Sequence, residues 1–274
     1  MNWRIIWNIA VKDWKEVRQN RLAWLPALIV PVIFVIVLPL GVIFLPQALG
    51  ASSIEDVTSD IQPLLANLPP TVAAQIAGLN PNQMVIVLIL GFMFSPLFLI
   101  VPLMVASIIG ADSIVGEKER KTLEALLYTP ATDRELYLAK LLSAILPAIV
   151  LSWVSFVAYA LVVNLAGAQV MGRVWFPLPH WLPLILWVSP AVATLGMAGI
   201  VLVSSRVSTF MEAQQTSGLL VLPVILLVVG QALGVIYLSV ELVILLGVVI
   251  WLVDAVLIWL GVKQFSRSAL MSRI

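Results

Sequence analysis

The sequence predicts an all-helical membrane protein with six transmembrane helices, and three observations carry that expectation. Of its 274 residues, 62% are hydrophobic and only 11% are charged, where a soluble domain carries about 25%. Six apolar runs reach the length of about 20 residues that a helix needs to cross hydrocarbon. A bare backbone has no partner there, so each run must be helical. Of the 15 Lys and Arg residues, all but Arg173 fall on one side of a six-span chain.

Residues 1–22 read as an amphipathic interfacial helix. Trp3, Ile6, Trp7, Ala10, Trp14 and Val17 recur at helical spacing, while Arg4, Lys12, Lys15 and Arg18 lie largely off that face. Trp beside basic residues suits the headgroup layer. Asp13 and Glu16, and an apolar run long enough to span, argue against a secretory signal. The spans are expected at 23–45, 84–109, 139–166, 182–203, 217–238 and 241–262. Prolines lie inside them, and neighbouring helices are expected to meet the carbonyls that proline frees. Residues 46–83 form a long outer loop. Its apolar stripe (Ile54, Val57, Ile61, Leu64, Leu65, Leu68), the break at Leu68–Pro70, and Val72, Ile76 and Leu79 predict a helical hairpin. Lys and Arg crowd before span one, between spans two and three, and after span six. That bias places both termini in the cytosol.

Residues 110–138 interrupt the apolar sequence. Gly110 to Lys140 carries 11 charges in 31 residues. Glu117 and Glu119 suit the positive first turn of a helix starting at Gly116. Glu117–Lys121 and Arg120–Glu124 have i,i+4 spacing, and Leu123, Leu126 and Leu127 share a face. Pro130 ends this helix. Thr132 to Glu135 fits a capping box that launches span three. A connector needs only a few residues, so a charged helix with an apolar ridge reads either as a docking surface or as a solvated helix on the bilayer.

These same residues, "GEKERKTLEALLYTPATDRELYLAK", resemble the signature of type-2 ATP-binding-cassette (ABC) permeases, close to G-E-K-E-R-G-T-L-E-x-L-L-x-T-P. Lys121 stands where Gly is common. "SSRVSTFMEAQQ", Ser204 to Gln215, is similar to the turn between spans four and five of that family. The resemblance implies the membrane-spanning subunit of an ABC exporter. Glu117 to Tyr128 would be the main coupling helix, with Glu117, Lys118, Glu119, Arg120, Thr122, Leu123, Glu124, Leu126 and Leu127 meeting a separate ATPase. Arg206 to Ala213, with Glu212, would be a smaller coupling element. Two permeases, as a homodimer, and two ATPase subunits would make one transporter in the plasma or inner membrane of a prokaryote. ATP and Mg would bind the ATPase, and this chain would carry no cofactor and no catalytic residue. Spans five and six meet near Leu238–Glu241, which leaves little room for the re-entrant outer helices of lipid- and polysaccharide-exporting relatives.

The chain has no P-loop. "GADSIVGEK" has five residues between its glycines and Glu117 before Lys118, and a P-loop needs four and then Lys-Ser/Thr. The single His, His180, and the lack of Cys make His- or thiolate-based metal sites poor readings. The scattered basic residues give no nucleic-acid surface. Membrane lipids are the expected surroundings. Alternatives are a non-transporting membrane anchor for an ATPase and an ion-coupled carrier or channel, though Asp254 is the one acid inside the spans away from their ends. Asp254 is expected to face the bundle and find a structural partner there. Gly230 and Gly234 have the small-xxx-small spacing of a close helix contact.

Overall fold

The computed structural model describes residues 1–49, 68–122 and 131–264, and those residues form helices and no strand. In chain order they are α1 (Trp3–Gln19), α2 (Ala23–Phe44), α3 (Pro70–Ile76), α4 (Pro81–Glu119), α5 (Asp133–Met171), α6 (Trp181–Val203), α7 (Phe210–Ala232) and α8 (Val240–Gln264). All but α1 and α3 are long and apolar enough to cross a membrane. The chain is therefore an all-α, multi-pass membrane protein.

Two helices form the centre. About three-quarters of the most apolar stretch of α4 and of α6 is buried (78% and 72%), against 17% in α7 and α8. The outer helices instead expose apolar side chains such as Leu226, Leu245 and Leu252, as contact with lipid tails requires. α4 and α5 each contain 39 residues, or about 58 Å of helix. That is nearly twice the roughly 30 Å of hydrocarbon, so both project beyond it. Sequence spacing expected the second span to end at 109 and the third to begin at 139. In the fold, most of the region between them is the tails of these two helices. α7 closes at Ala232, short of the expected 238.

Prolines shape the spans as their chemistry demands. Segments of widened π-helix at Ile33–Val37, Val87–Met93 and Leu184–Val188 end just before Pro39, Pro96 and Pro190. Pro96 has no N–H to give, either to Phe92 in α geometry or to Gly91 in π geometry. The Gly91 carbonyl accepts instead from Trp181 Nε1 at 2.7 Å and lies 3.1 Å from His180 Nε2; the Phe92 carbonyl accepts from Ser95 Oγ at 2.6 Å. Tyr159 donates to the adjacent Leu90 carbonyl at 2.7 Å. Neighbouring side chains thus satisfy the backbone that proline frees, and they pin α4 to α5 and α6 at one end of the bundle.

The expected outer hairpin is visible only in its second half. α3 buries Val72 and Ile76, two of the residues that predicted it. The stripe from Ile54 to Leu65 lies outside the described residues.

Candidate functional site

At the other end of the bundle, α1 packs beside the ends of α4 and α5. Its buried face differs from the one the tryptophans suggested. Ile6, Ile9, Ala10, Asp13 and Val17 are buried, while Trp3 and Trp7 are 63% and 52% exposed. An acid therefore sits in the middle of the packed stripe.

Asp13 meets Lys140, which is fully buried on α5. The Lys140 ammonium lies 3.2 and 3.1 Å from the two Asp13 oxygens, 2.8 Å from the Ser113 carbonyl and 2.7 Å from Glu117 Oε2. Four acceptors surround three hydrogens, so the Glu117 contact acts as a charge pair. Ser113 Oγ also donates to Asp13 at 2.6 Å. Lys12 closes the cluster from its solvent side, pairing with Glu117 and, at 3.1 Å, with Glu16. Partial burial alone would pull the Lys12 ammonium down, but its hydrogen bond to Glu117 and the Glu117 charge outweigh this and hold it above its ordinary value. Asp13, Glu16 and Glu117 bring carboxylate oxygens within 4.8 Å of one another, as a metal site would. Here two lysine ammoniums supply the positive charge, and the cluster is an internal ion network.

A second pair lies one turn away. Arg120 Nη1 donates to Asp112 Oδ1 at 2.9 Å, and Asn20 Nδ2 donates to the same oxygen at 2.8 Å. Burial lowers the Arg120 guanidinium, yet Asp112 outweighs it and the net shift is upward. Gly116 lets this pair cross the helix: a Cβ there would stand 2.9 Å from Asp112 Oδ1 and 3.0 Å from Arg120 Nη1. Further on, Lys118 Nζ donates to the Val207 carbonyl at 3.2 Å, and Glu119 accepts from the Phe210 N–H at 2.8 Å. These two fasten α4 to the turn between α6 and α7.

Glu117, Lys118, Glu119 and Arg120, four of the seven charges expected to face a partner, thus make contacts inside the chain. Glu117 is buried outright, while Glu119 and Arg120 keep exposed sides. The helix expected from Glu117 to Tyr128 is also corrected. Gly116 does not begin it, because α4 runs through to Glu119. Lys121 then turns left-handed at φ 57°. The Thr122 N–H reaches back to the Glu117 carbonyl at 3.0 Å and the Lys121 N–H to Lys118 at 3.1 Å, the hydrogen-bond pattern of a Schellman end. That conformation is one that glycine adopts without strain, which suits the Gly of the resembled signature at the position of Lys121. Glu117 and Lys121 accordingly do not form the expected i,i+4 pair. Thr122 Oγ1 donates to the Glu117 carbonyl at 3.3 Å. Leu123, Glu124, Leu126 and Leu127 lie outside the described residues.

The other expected residues separate. Thr132 and Glu135 form the anticipated capping box, and Glu135 also accepts from the Asn2 N–H. Arg206 is exposed in the turn before α7. Glu212 forms a capping box with Thr209 at the start of α7 and accepts from the Ser208 N–H at 2.8 Å. Asp254 is buried in α8 as expected, but neither carboxylate oxygen has a hydrogen-bond partner among the described residues. Gly234 is not a packing residue within a helix. It lies past the end of α7 at φ 71°, where its own N–H and that of Val235 bond back to Gln231 and Gly230. The space beside Gly230 is taken by Ile236 of the same turn.

Residues 7–248 match the family model described as ABC-2 family transporter protein. The chain belongs to the ABC-2 transporter family. No curated protein matches it. An ABC-2 chain is a membrane component of an ABC transporter, and the family associates with an ABC ATPase subunit. In this ABC-2 chain the charged segment that begins at Gly116 is continuous with a central helix and ion-paired to the N-terminal helix. Sequence reading missed Asp13, Asp112, Ser113 and Lys140. The available signal was Asp13 itself, an acid one turn from Ile9 and Val17 on an otherwise apolar stripe.

Proposed function

We propose that the chain is the permease subunit of an ABC exporter and that the segment after Glu119 docks on a separate ATPase. The ion network would then turn ATPase movement into bundle movement. The observation that supports this is where the motif is anchored. Its first half ends the most buried helix, and its charges reach α1, α5 and the α6–α7 turn. A push on the following residues, 123–130, would reach four elements through backbone or buried charge instead of dissipating in a loop. In this reading two copies line the pathway, both termini are cytosolic, and ATP and Mg bind the partner. The site residues divide in two. Glu117, Lys118, Glu119 and Arg120 hold the docking segment from within. Leu123, Glu124, Leu126 and Leu127 meet the ATPase, with Arg206 as a second point of contact beside Glu212, whose carboxylate is occupied as a cap.

Burying a Leu contributes roughly 1.5–3 kcal/mol, and an exposed ion pair about 1 or less. The leucines should therefore dominate docking. Leu126→Asp with Leu127→Asp is expected to abolish recovery of the ATPase that co-purifies with the unaltered chain, while membrane insertion persists. Undiminished recovery in the inserted double variant overturns the reading.

A further inference from the structure

We propose that the groove between α1 and the helices α4 and α5 binds an anionic phospholipid, with an acyl chain in the groove and the phosphate on Arg18. The groove has a volume of about 380 Å³ and is lined by Trp14 and Arg18 of α1, Ile109 of α4, and Leu146, Pro147 and Val150 of α5. That is near the lower end of the roughly 300–1,000 Å³ of small-molecule sites: room for one chain, not a whole lipid.

The groove follows from Pro147. Proline leaves the carbonyl four residues back, that of Ser143, without its helical donor. Trp14 Nε1 supplies one at 2.7 Å. This contact bridges α1 to α5 and uses the only donor of the indole, so its ring joins the groove as hydrocarbon. Apart from Arg18, the remaining walls are Val17, Ile109, Leu146, Pro147 and Val150, which offer no side-chain hydrogen bond. A polar ligand would gain nothing there. Val150 is 57% exposed on a membrane-crossing helix, an apolar side chain that suits contact with lipid tails at the mouth of the groove.

The rim has the opposite character. Arg18 is exposed and pairs with no carboxylate among the described residues, nor do the neighbouring exposed cations Lys15 and Arg21. Lys12 on the same helix shows the contrast, since it meets three acids. Glu16 is the nearby acid along the helix, and Lys12 holds it. An uncompensated cation on the wall of an apolar slot, with two more on the neighbouring chain, calls for one ligand with an anionic head and a hydrocarbon tail. Basic residues at a membrane surface attract anionic lipid, each by about fivefold in affinity.

The test uses the purified full-length chain, stripped of lipid in detergent, with a phosphatidylglycerol carrying a photoreactive acyl chain and the labelled peptides mapped. Label is expected on α1 and on α5 near Leu146 to Val150. Phosphatidylglycerol should compete for the site better than phosphatidylcholine, and glycerol phosphate, which has the head but no chain, should not compete. Arg18→Gln should weaken phosphatidylglycerol about fivefold and shrink its advantage over phosphatidylcholine. Val150→Trp, at an exposed position, should fill the groove and remove the label. Arg4→Gln, an exposed cation on α1 away from the groove, should change nothing. Unfolding temperature checks that each variant is folded. Equal competition by the two lipids, label that survives Val150→Trp, or competition by glycerol phosphate each overturns the proposal.

Discussion

Lys140 has no exposed surface, and two carboxylates and a backbone carbonyl crowd its ammonium. Its removal leaves the buried Asp13 and Glu117 carboxylates with Lys12 as their one remaining cation. Breaking a buried ion pair from one side costs about 3–5 kcal/mol, whereas replacing the whole set is often neutral. Lys140→Met is therefore expected to lower the unfolding temperature in detergent markedly, and adding Asp13→Asn and Glu117→Gln to restore most of it. A single variant that unfolds like the parent would show that the pairing contributes little. Asp254 predicts the opposite sign. Its carboxylate is buried with no hydrogen-bond partner among the described residues, and an unsatisfied buried polar group costs about 1–3 kcal/mol. Asp254→Leu should hold or raise the unfolding temperature. A clear fall would reveal the structural partner that the sequence suggested.

Two helix ends carry the same backbone motif with different residues in the left-handed position. α4 ends with Lys121 at φ 57°, and α7 with Gly234 at φ 71°. A side chain in that region costs about 1–2 kcal/mol, which glycine avoids. Lys121→Gly should thus stabilise the chain, and Gly234→Ala should destabilise it, each by about 1 kcal/mol. Thermal unfolding of the two variants measures both, and shifts of equal sign would count against the shared motif. The pair also shows where reading by spacing misleads. Gly230 and Gly234 fit a helix-contact pattern, but the helix stops between them. Glu117 to Tyr128 fits one amphipathic helix, but the chain turns at Lys121. Periodicity registers which side chains could share a face. It does not register a left-handed residue that ends the face.

Across the whole molecule, charge and apolar length set the topology. Among the described residues, the end that carries α1, the motif and the α6–α7 turn holds nearly all the Lys and Arg, while Arg173 lies at the opposite end. With the single span α6 between them, cysteines placed singly at Val174 and Ser208, both exposed, should label from opposite sides of the membrane, Ser208 from the cytosol. Same-side labelling would remove the six-span arrangement. The groove under α1 and the ion network share that basic end but differ in kind. One is buried and charge-compensated, the other open and uncompensated.

The sequence by itself determined the class of the protein, the number of spans, the amphipathic N-terminal helix, the Thr132–Glu135 cap and the family. All of these are written in local length, period and residue order. The lipid-crossing helices in particular needed no tertiary partner to be recognised, because hydrocarbon forbids any other backbone there. Only the tertiary structure decided what the charges do. Asp13 and Lys140 lie 127 residues apart and become one site because α1 folds against α5. Glu117 and Arg120 look like surface charges until Lys12, Lys140 and Asp112 are placed around them. A charged side chain has no period that announces its partner: its role depends on which distant helix removes its water, and that is a property of packing.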